Sequence, residues 1–191
     1  MPGNRIEEIL KETGTLLTGH FLLSSGRHSN RYMQCAKILQ YPGYAAEFVK
    51  PLADSFMGDG IDVVLSPAVG AIIVGYELAR QLGVKNIFAE RENGKMALRR
   101  GFEIEPGSRV LVSENVITTG GAVREVMEIA RGLGAVVAGA AVLIDRSGGA
   151  IDFGVKTRIA YTADVISWDA WNCPLCKENR IPVTKPGSRD I

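Results

Sequence analysis

The chain has 191 residues, 46% of them hydrophobic and 23% charged, with a net charge of +1. That suffices for a core without disulfides, and the balance excludes a disordered segment or an electrostatic partner for nucleic acid or membrane surface. Apolar runs fall short of a membrane span, Met1-Pro2-Gly3-Asn4-Arg5 starts no signal peptide, and three cysteines make no secreted scaffold, so a cytoplasmic protein is expected.

Ile6, Ile9 and Leu10, set among Glu7, Glu8 and Lys11, predict a short amphipathic helix stopped by Gly14. From Gly19 to Tyr32 a β-leaning segment is broken by a polar turn, which predicts a hairpin. His20 and His28 lie in it with no second metal ligand at a familiar spacing, and read as surface or hydrogen-bonded residues. Ala45, Phe48, Val49, Leu52 and Phe56 recur at helical spacing between Pro42 and Met57, with Pro51 expected to bend or break that helix. Ile61 to Leu65 reads as a strand. It runs through Ser66-Pro67-Ala68-Val69-Gly70 into a helix that includes Ile73, Tyr76, Glu77 and Ala79 and reaches Gln81. An anion could sit at that helix start. Ile87-Phe88-Ala89 is the next strand. Between Glu90 and Gly101, four cations surround Asn93-Gly94, the pattern of a solvated surface hairpin.

Val110 to Ser113 predicts a short buried strand. Glu114 and Asn115 follow, then Thr118-Thr119-Gly120-Gly121, and Val123, Val126, Met127 and Ala130 place a helix start near Gly121. A strand, a glycine turn with two hydroxyls and a helix N-terminus make an anion site, because unpaired N–H groups and the helix dipole converge there. The same residues could simply cap the helix. The stretch is no Walker loop and lacks the three-glycine dinucleotide fingerprint. Ala135 to Ile144 reads as a strand buried on both faces, ending in Asp145-Arg146. An arginine there is placed to grip a carboxylate with its planar fork, or to pair with Asp145. A last strand is expected from Thr157 to Val165, and Lys185 to Arg189 as an exposed end. Successive strand–helix–strand units imply a doubly wound, mainly parallel sheet flanked by helices, with ligand beyond the carboxyl ends of the strands. Cys173-Pro174-Leu175-Cys176 is half a zinc site, and Cys35 alone cannot complete it, though two chains could supply four sulfurs. A redox pair would want a thioredoxin-like unit, so inert or structural thiols are expected.

The string from Val110 to Val123 closely resembles the phosphoribosyl-pyrophosphate (PRPP) motif of the type I phosphoribosyltransferases. Gly19 to Tyr32 resembles the hood segment of the orotate phosphoribosyltransferases, with Ser24 where many members carry lysine and Met33 where a second aromatic would stand. The resemblance implies a single domain over residues 1–191, with a small N-terminal hood from about residues 1–40 plus the C-terminal tail. It implies transfer of phosphoribosyl from PRPP to orotate, giving orotidine 5′-monophosphate and pyrophosphate in pyrimidine biosynthesis. Mg²⁺ would be held mainly by PRPP, and a homodimer would share the basic loop. PRPP would meet Arg91, Lys95, Glu114, Asn115, Val116, Ile117, Thr118, Thr119, Gly120, Gly121 and Ala122. Lys95, Glu114 and Asn115 are then catalytic, Ser66 to Gly70 is the pyrophosphate loop, and Thr118, Arg146, Tyr32 and Ser24 meet orotate. Asn115 stands where the family carries a second acidic residue. Another nucleobase, or a PRPP-binding regulator with weakened catalysis, are the rival expectations.

Overall fold

The computed structural model describes residues 3–23, 25–163 and 166–186; Ser24, Val165 and Gly187 to Arg189 lie outside them. In chain order the elements are α1 (Gly3–Glu12), β1 (Leu16–Leu22), β2 (His28–Met33), α2 (Ala36–Leu39), α3 (Pro42–Phe56), β3 (Val63–Pro67), α4 (Ile72–Leu82), β4 (Lys85–Glu92) and β5 (Lys95–Leu98). There follow β6 (Arg109–Ile117), α5 (Gly121–Gly132), β7 (Val136–Asp145), β8 (Thr157–Thr162), β9 (Ser167–Trp168), a 3₁₀ turn (Ala170–Asn172) and α6 (Pro174–Glu178). They form two compact units: Leu39–Ala163, and Pro2–Ile38 together with Asp164–Ile191.

The first unit is a six-stranded sheet in the order β5-β4-β3-β6-β7-β8. β4, β3, β6, β7 and β8 are parallel neighbours, and β5 closes one edge antiparallel to β4. This is the doubly wound α/β sheet expected. β3 leads through α4 to β4 on one side, while β6 leads through α5 to β7 on the other, so the winding reverses between β3 and β6. Alternate residues of the central strands explain the two layers of helix. Leu65, Val110, Val112 and Val142 join Val123, Val126 and Met127 of α5 in one core. On the opposite face Phe48 and Phe56 of α3 and Val74 and Leu78 of α4 are fully buried. Pro51 removes one amide from the helical ladder, yet α3 runs unbroken through it. Leu52 and Phe56 beside it are buried against the sheet, and that packing outweighs the lost bond.

α4 approaches the sheet closely at Gly75. A Cβ there would collide with Ser66 Oγ and lie 2.9 Å from Asn86 Oδ1 and 3.0 Å from Ser113 Oγ. Ser66 and Ser113 share a buried hydroxyl hydrogen bond of 2.7 Å across β3 and β6. Glycine lets the helix settle on this pair, which ties together the two strands flanking the reversal.

The second unit is a three-stranded antiparallel sheet, β1-β2-β9, with α1 and the C-terminal segment. Arg27 fastens the β1–β2 turn to β9, donating to Asp169 Oδ1 at 2.7 Å, Ser167 O at 2.7 Å and Ser167 Oγ at 2.9 Å. Of the two expectations for His20 and His28, surface or hydrogen-bonded, the second holds: both are buried, with His20 Nε2 2.9 Å from His28 Nδ1 and His20 Nδ1 3.0 Å from Ile181 O.

Gly75→Ala should lower folding stability by about 1–3 kcal/mol, as overpacking does. Chemical denaturation checks this; an unchanged midpoint would show that α4 can lift off the serine pair freely.

Candidate active site

The winding reversal puts a crevice beyond the carboxyl ends of β3 and β6, where ligands of open α/β sheets bind. Both anion loops fall there. Of the predicted loop Ser66 to Gly70, Ser66 and Pro67 are the buried end of β3, and the turn proper starts at Ala68, with a cis peptide between Ala68 and Val69. Its Ala68 N–H donates to Ala89 O at 2.7 Å, and Val69 is exposed. Gly70 lies against Asn115, for a Cβ on it would come within 2.8 Å of Asn115 Nδ2. A side chain at this position would have to push the Asn115 amide aside.

β6 is longer than the predicted Val110 to Ser113. It continues to Ile117 because β7 is long enough to keep pairing, with Glu114 opposite Val142 and Ile117 opposite Asp145. Glu114 and Asn115 therefore stand on a rigid strand rather than in a loop. The Glu114 side chain is buried, and its Oε1 accepts the Asn115 N–H at 2.9 Å. Burial pushes its pKa up to about 7, against a smaller opposing pull from the Asn115 and Val116 amides.

Thr118 and Thr119 are exposed at the end of β6. Gly120 has φ 74°, a left-handed conformation, and its Cα packs so closely on Phe153 that a Cβ would lie 2.8 Å from the ring. It is the N-cap of α5, and no side chain caps that helix. The capping alternative thus fails: the threonine hydroxyls are not spent on the helix, and the first-turn amides have no partner within it. Arg146 follows β7, its N–H donating to Ile117 O at 2.9 Å, which sets it beside Thr118 at the adjacent strand end. Asp145 accepts from Ser147 N at 2.6 Å and Gly149 N at 2.8 Å, so its buried carboxylate shapes the turn that carries Arg146.

The cationic stretch is a hairpin, β4–β5, turning on Asn93 (φ 49°) and Gly94 (φ 81°). Arg91 forms a two-pronged pair with Glu125 of α5, at 2.7 and 3.1 Å. Arg99 pairs with Glu92 and Arg100 with Glu90. Lys95, exposed at the start of β5, makes no ion pair among the described residues. The glutamate partners went unread in the sequence, since nothing in a spacing of 34 residues announces Arg91–Glu125. Tyr32 belongs to the second unit, where its ring packs 5.9 Å from Phe21. A hollow lined by Asp62, Lys85, Glu103 and Ser108 opens at the amino ends of the strands, the edge away from these groups.

Residues 38–172 match the model of the phosphoribosyl transferase domain family. The chain is 60% identical over its full length to an orotate phosphoribosyltransferase from Pelotomaculum thermopropionicum, covering all of both chains. It is 51% identical, again over all of both chains, to the one from Desulforamulus reducens. Among solved structures, the orotate phosphoribosyltransferase from Aeropyrum pernix matches with a TM-score of 0.71 and 27% identity, over 82% of this chain and 93% of that one. An adenine phosphoribosyltransferase from Thermoanaerobacter pseudethanolicus shares the fold at a TM-score of 0.61 and 15% identity, over 70% of this chain and 88% of that one. The chain belongs to the phosphoribosyltransferase family, and within it to the orotate phosphoribosyltransferase group.

Because burial raises the folded-state pKa of Glu114 from 4.5 to about 7, folding favours the protonated acid. That contribution is complete below the unfolded value and is lost as pH rises through the folded one. Glu114→Gln keeps the shape without the charge. It should stabilise the unliganded protein at pH 8 by roughly 2–3 kcal/mol, with the gain vanishing near pH 4. Thermal melts of both proteins across that range check it, and a pH-independent difference would contradict it.

Proposed function

We infer that the protein transfers the phosphoribosyl group of PRPP to orotate, forming orotidine 5′-monophosphate and pyrophosphate. The observation that supports this most is the uncapped start of α5, set beside a buried carboxylate at the winding reversal. Thr118 to Ala122 would cradle the 5′-phosphate with main-chain amides and two hydroxyls. Val116 and Ile117, which precede that cradle on β6, would also meet PRPP. Glu114 and Asn115 would hold the ribose hydroxyls. In the Ser66 to Gly70 stretch the diphosphate would be held by the Val69 and Gly70 N–H groups, since Pro67 has none, the Ala68 N–H is donated to Ala89 O, and the side chains offer no cation.

Mg²⁺ would enter with PRPP, whose own oxygens supply most of its donors, and would neutralise the departing diphosphate. Lys95 would meet the reacting centre, and Arg91 the diphosphate after exchanging Glu125 for it. Both side chains of that pair are nearly half exposed, so the exchange costs little. Arg146 would take the orotate carboxylate bidentately, with Thr118 on the same base; Tyr32 and Ser24 are proposed for the base on the resemblance of the hood segment alone. As the C1–O bond breaks, positive charge grows on the ribose, and ionised Glu114 stabilises it. A homodimer sharing the β4–β5 hairpin, working in the cytoplasm, completes the reading. No helix among the described residues is long and apolar enough to cross a membrane.

Adenine phosphoribosyltransferases share this sheet, so the base is chosen by local groups such as Arg146 rather than by the fold. Orotate, uracil, adenine and hypoxanthine offered separately with PRPP and Mg²⁺ should give turnover with orotate alone; activity on another base and none on orotate would refute the assignment. A carboxylate in place of the Asn115 amide, near the developing cation, is worth on the order of 2–3 kcal/mol. Asn115→Asp should therefore raise kcat, by up to roughly a hundredfold. A flat or lowered kcat would show that charge at this position does not limit the reaction.

A further inference from the structure

The second unit gathers four side chains that the transfer chemistry does not use. His20 on β1, His28 on β2, Cys173 and Cys176 present one ligand atom each, all within 4.8 Å of one another. Cys173 Sγ lies 3.5 Å and Cys176 Sγ 3.6 Å from His20 Nε2, and Cys176 Sγ lies 3.2 Å from His28 Nδ1. His20, His28 and Cys173 are buried, and Cys176 is partly exposed. The CxxC supplies only half a ligand set, and the two histidines have no familiar ligand spacing. The β1–β2 pairing and the return of the C-terminal segment bring the halves together.

Pairwise hydrogen bonds account poorly for this convergence. His20 Nδ1 lies 3.0 Å from Ile181 O, a carbonyl that can only accept, so Nδ1 carries the proton. In the neutral ring Nε2 then has a single lone pair, yet three heteroatoms face it. A tetrahedral Zn²⁺ bound by two nitrogens and two sulfurs would set them about 3.3 Å apart for N–N, 3.6 Å for N–S and 3.8 Å for S–S. The three N–S distances above fall within a few tenths of an ångström of that, and the N–N separation of 2.9 Å widens to it with a small ring rotation. The Ile181 carbonyl is the outer partner that a zinc-bound histidine usually has, fixing tautomer and ring direction.

We propose that His20, His28, Cys173 and Cys176 bind one zinc ion within a single chain. Four protein ligands leave no open position for water or substrate, so the ion is structural. S₂N₂ donors in tetrahedral array select zinc over magnesium or calcium. The ion clamps β1 and β2 to α6, with His20 and Cys173 separated by 153 positions. A metal staple would add to the stability that the apolar side chains of this small sheet supply.

The whole protein, purified without added metal and then denatured, should release about one zinc per chain by mass spectrometry. Exchange for Co²⁺ should give the visible bands of tetrahedral cobalt with sulfur-to-metal charge transfer. Cys176→Ser and His28→Gln should each lose the ion and melt at a lower temperature, whereas Cys35→Ala should keep it. A metal-free protein whose cobalt form lacks those bands would overturn the proposal, as would a Cys173–Cys176 disulfide in the native protein. The cobalt spectrum of the unaltered chain decides the matter even where a variant fails to fold. None of these readouts involves turnover, so the site stands or falls independently of the enzymatic reading.

Discussion

Helix α5 starts with a left-handed glycine and no side-chain cap, and that feature constrains its surroundings. Three or four amides point outward with no partner in the helix, a cost that the fold would ordinarily cover with a serine or aspartate cap. Here both threonines precede the N-cap and keep their hydroxyls exposed. The turn is held from behind instead, by Phe153 and Ile151 packed against Gly120. A donor-rich, rigidly backed turn is preorganised for an anion, so little ordering remains to be done when phosphate arrives.

The second constraint is that negative charge must be kept close to this donor cluster without neutralising it. Glu114 meets it by burial on a paired strand, where its carboxyl is poised between protonation states near neutral pH. On a loop the side chain could swing to the nearby amides or the arginines. On β6 it is directed by the register with β7. Gly70 brings the loop after β3 against Asn115, and the buried Ser66–Ser113 bond holds the two strands at that spacing. The crevice is thus a property of the β3–β6 pairing, with each loop chemistry suspended from it.

Much of this architecture was legible in the sequence, because its signals are local. Apolar runs at Ile61 to Leu65, Val110 to Ser113 and Ala135 to Ile144 mark three parallel strands, although β3 begins only at Val63 and β7 is exposed at Val136, and helical spacing after Gly70 and Gly121 marks the crossovers. Asn93-Gly94 marks the hairpin. What stayed hidden depends on partners far along the chain. β6 runs on to Ile117 only because β7 continues beside it, and Pro51 leaves α3 unbroken only because its neighbours are buried. Arg91 finds Glu125 on another element. The two histidines read as surface or hydrogen-bonded residues with no sign of the cysteines beside them, because those companions lie about 150 positions away and a CxxC alone is ambiguous. In each case a tertiary contact overrode the local preference.

The central claim is that main-chain amides between Thr118 and Ala122 bind the phosphate of a phosphoribosyl group. A crystal structure of the protein with ribose 5-phosphate tests it most directly. The account predicts phosphate oxygens at roughly 2.7–3.1 Å from those amides and from a threonine hydroxyl. Phosphate bound elsewhere, with the turn before α5 empty at saturating ligand, would contradict it.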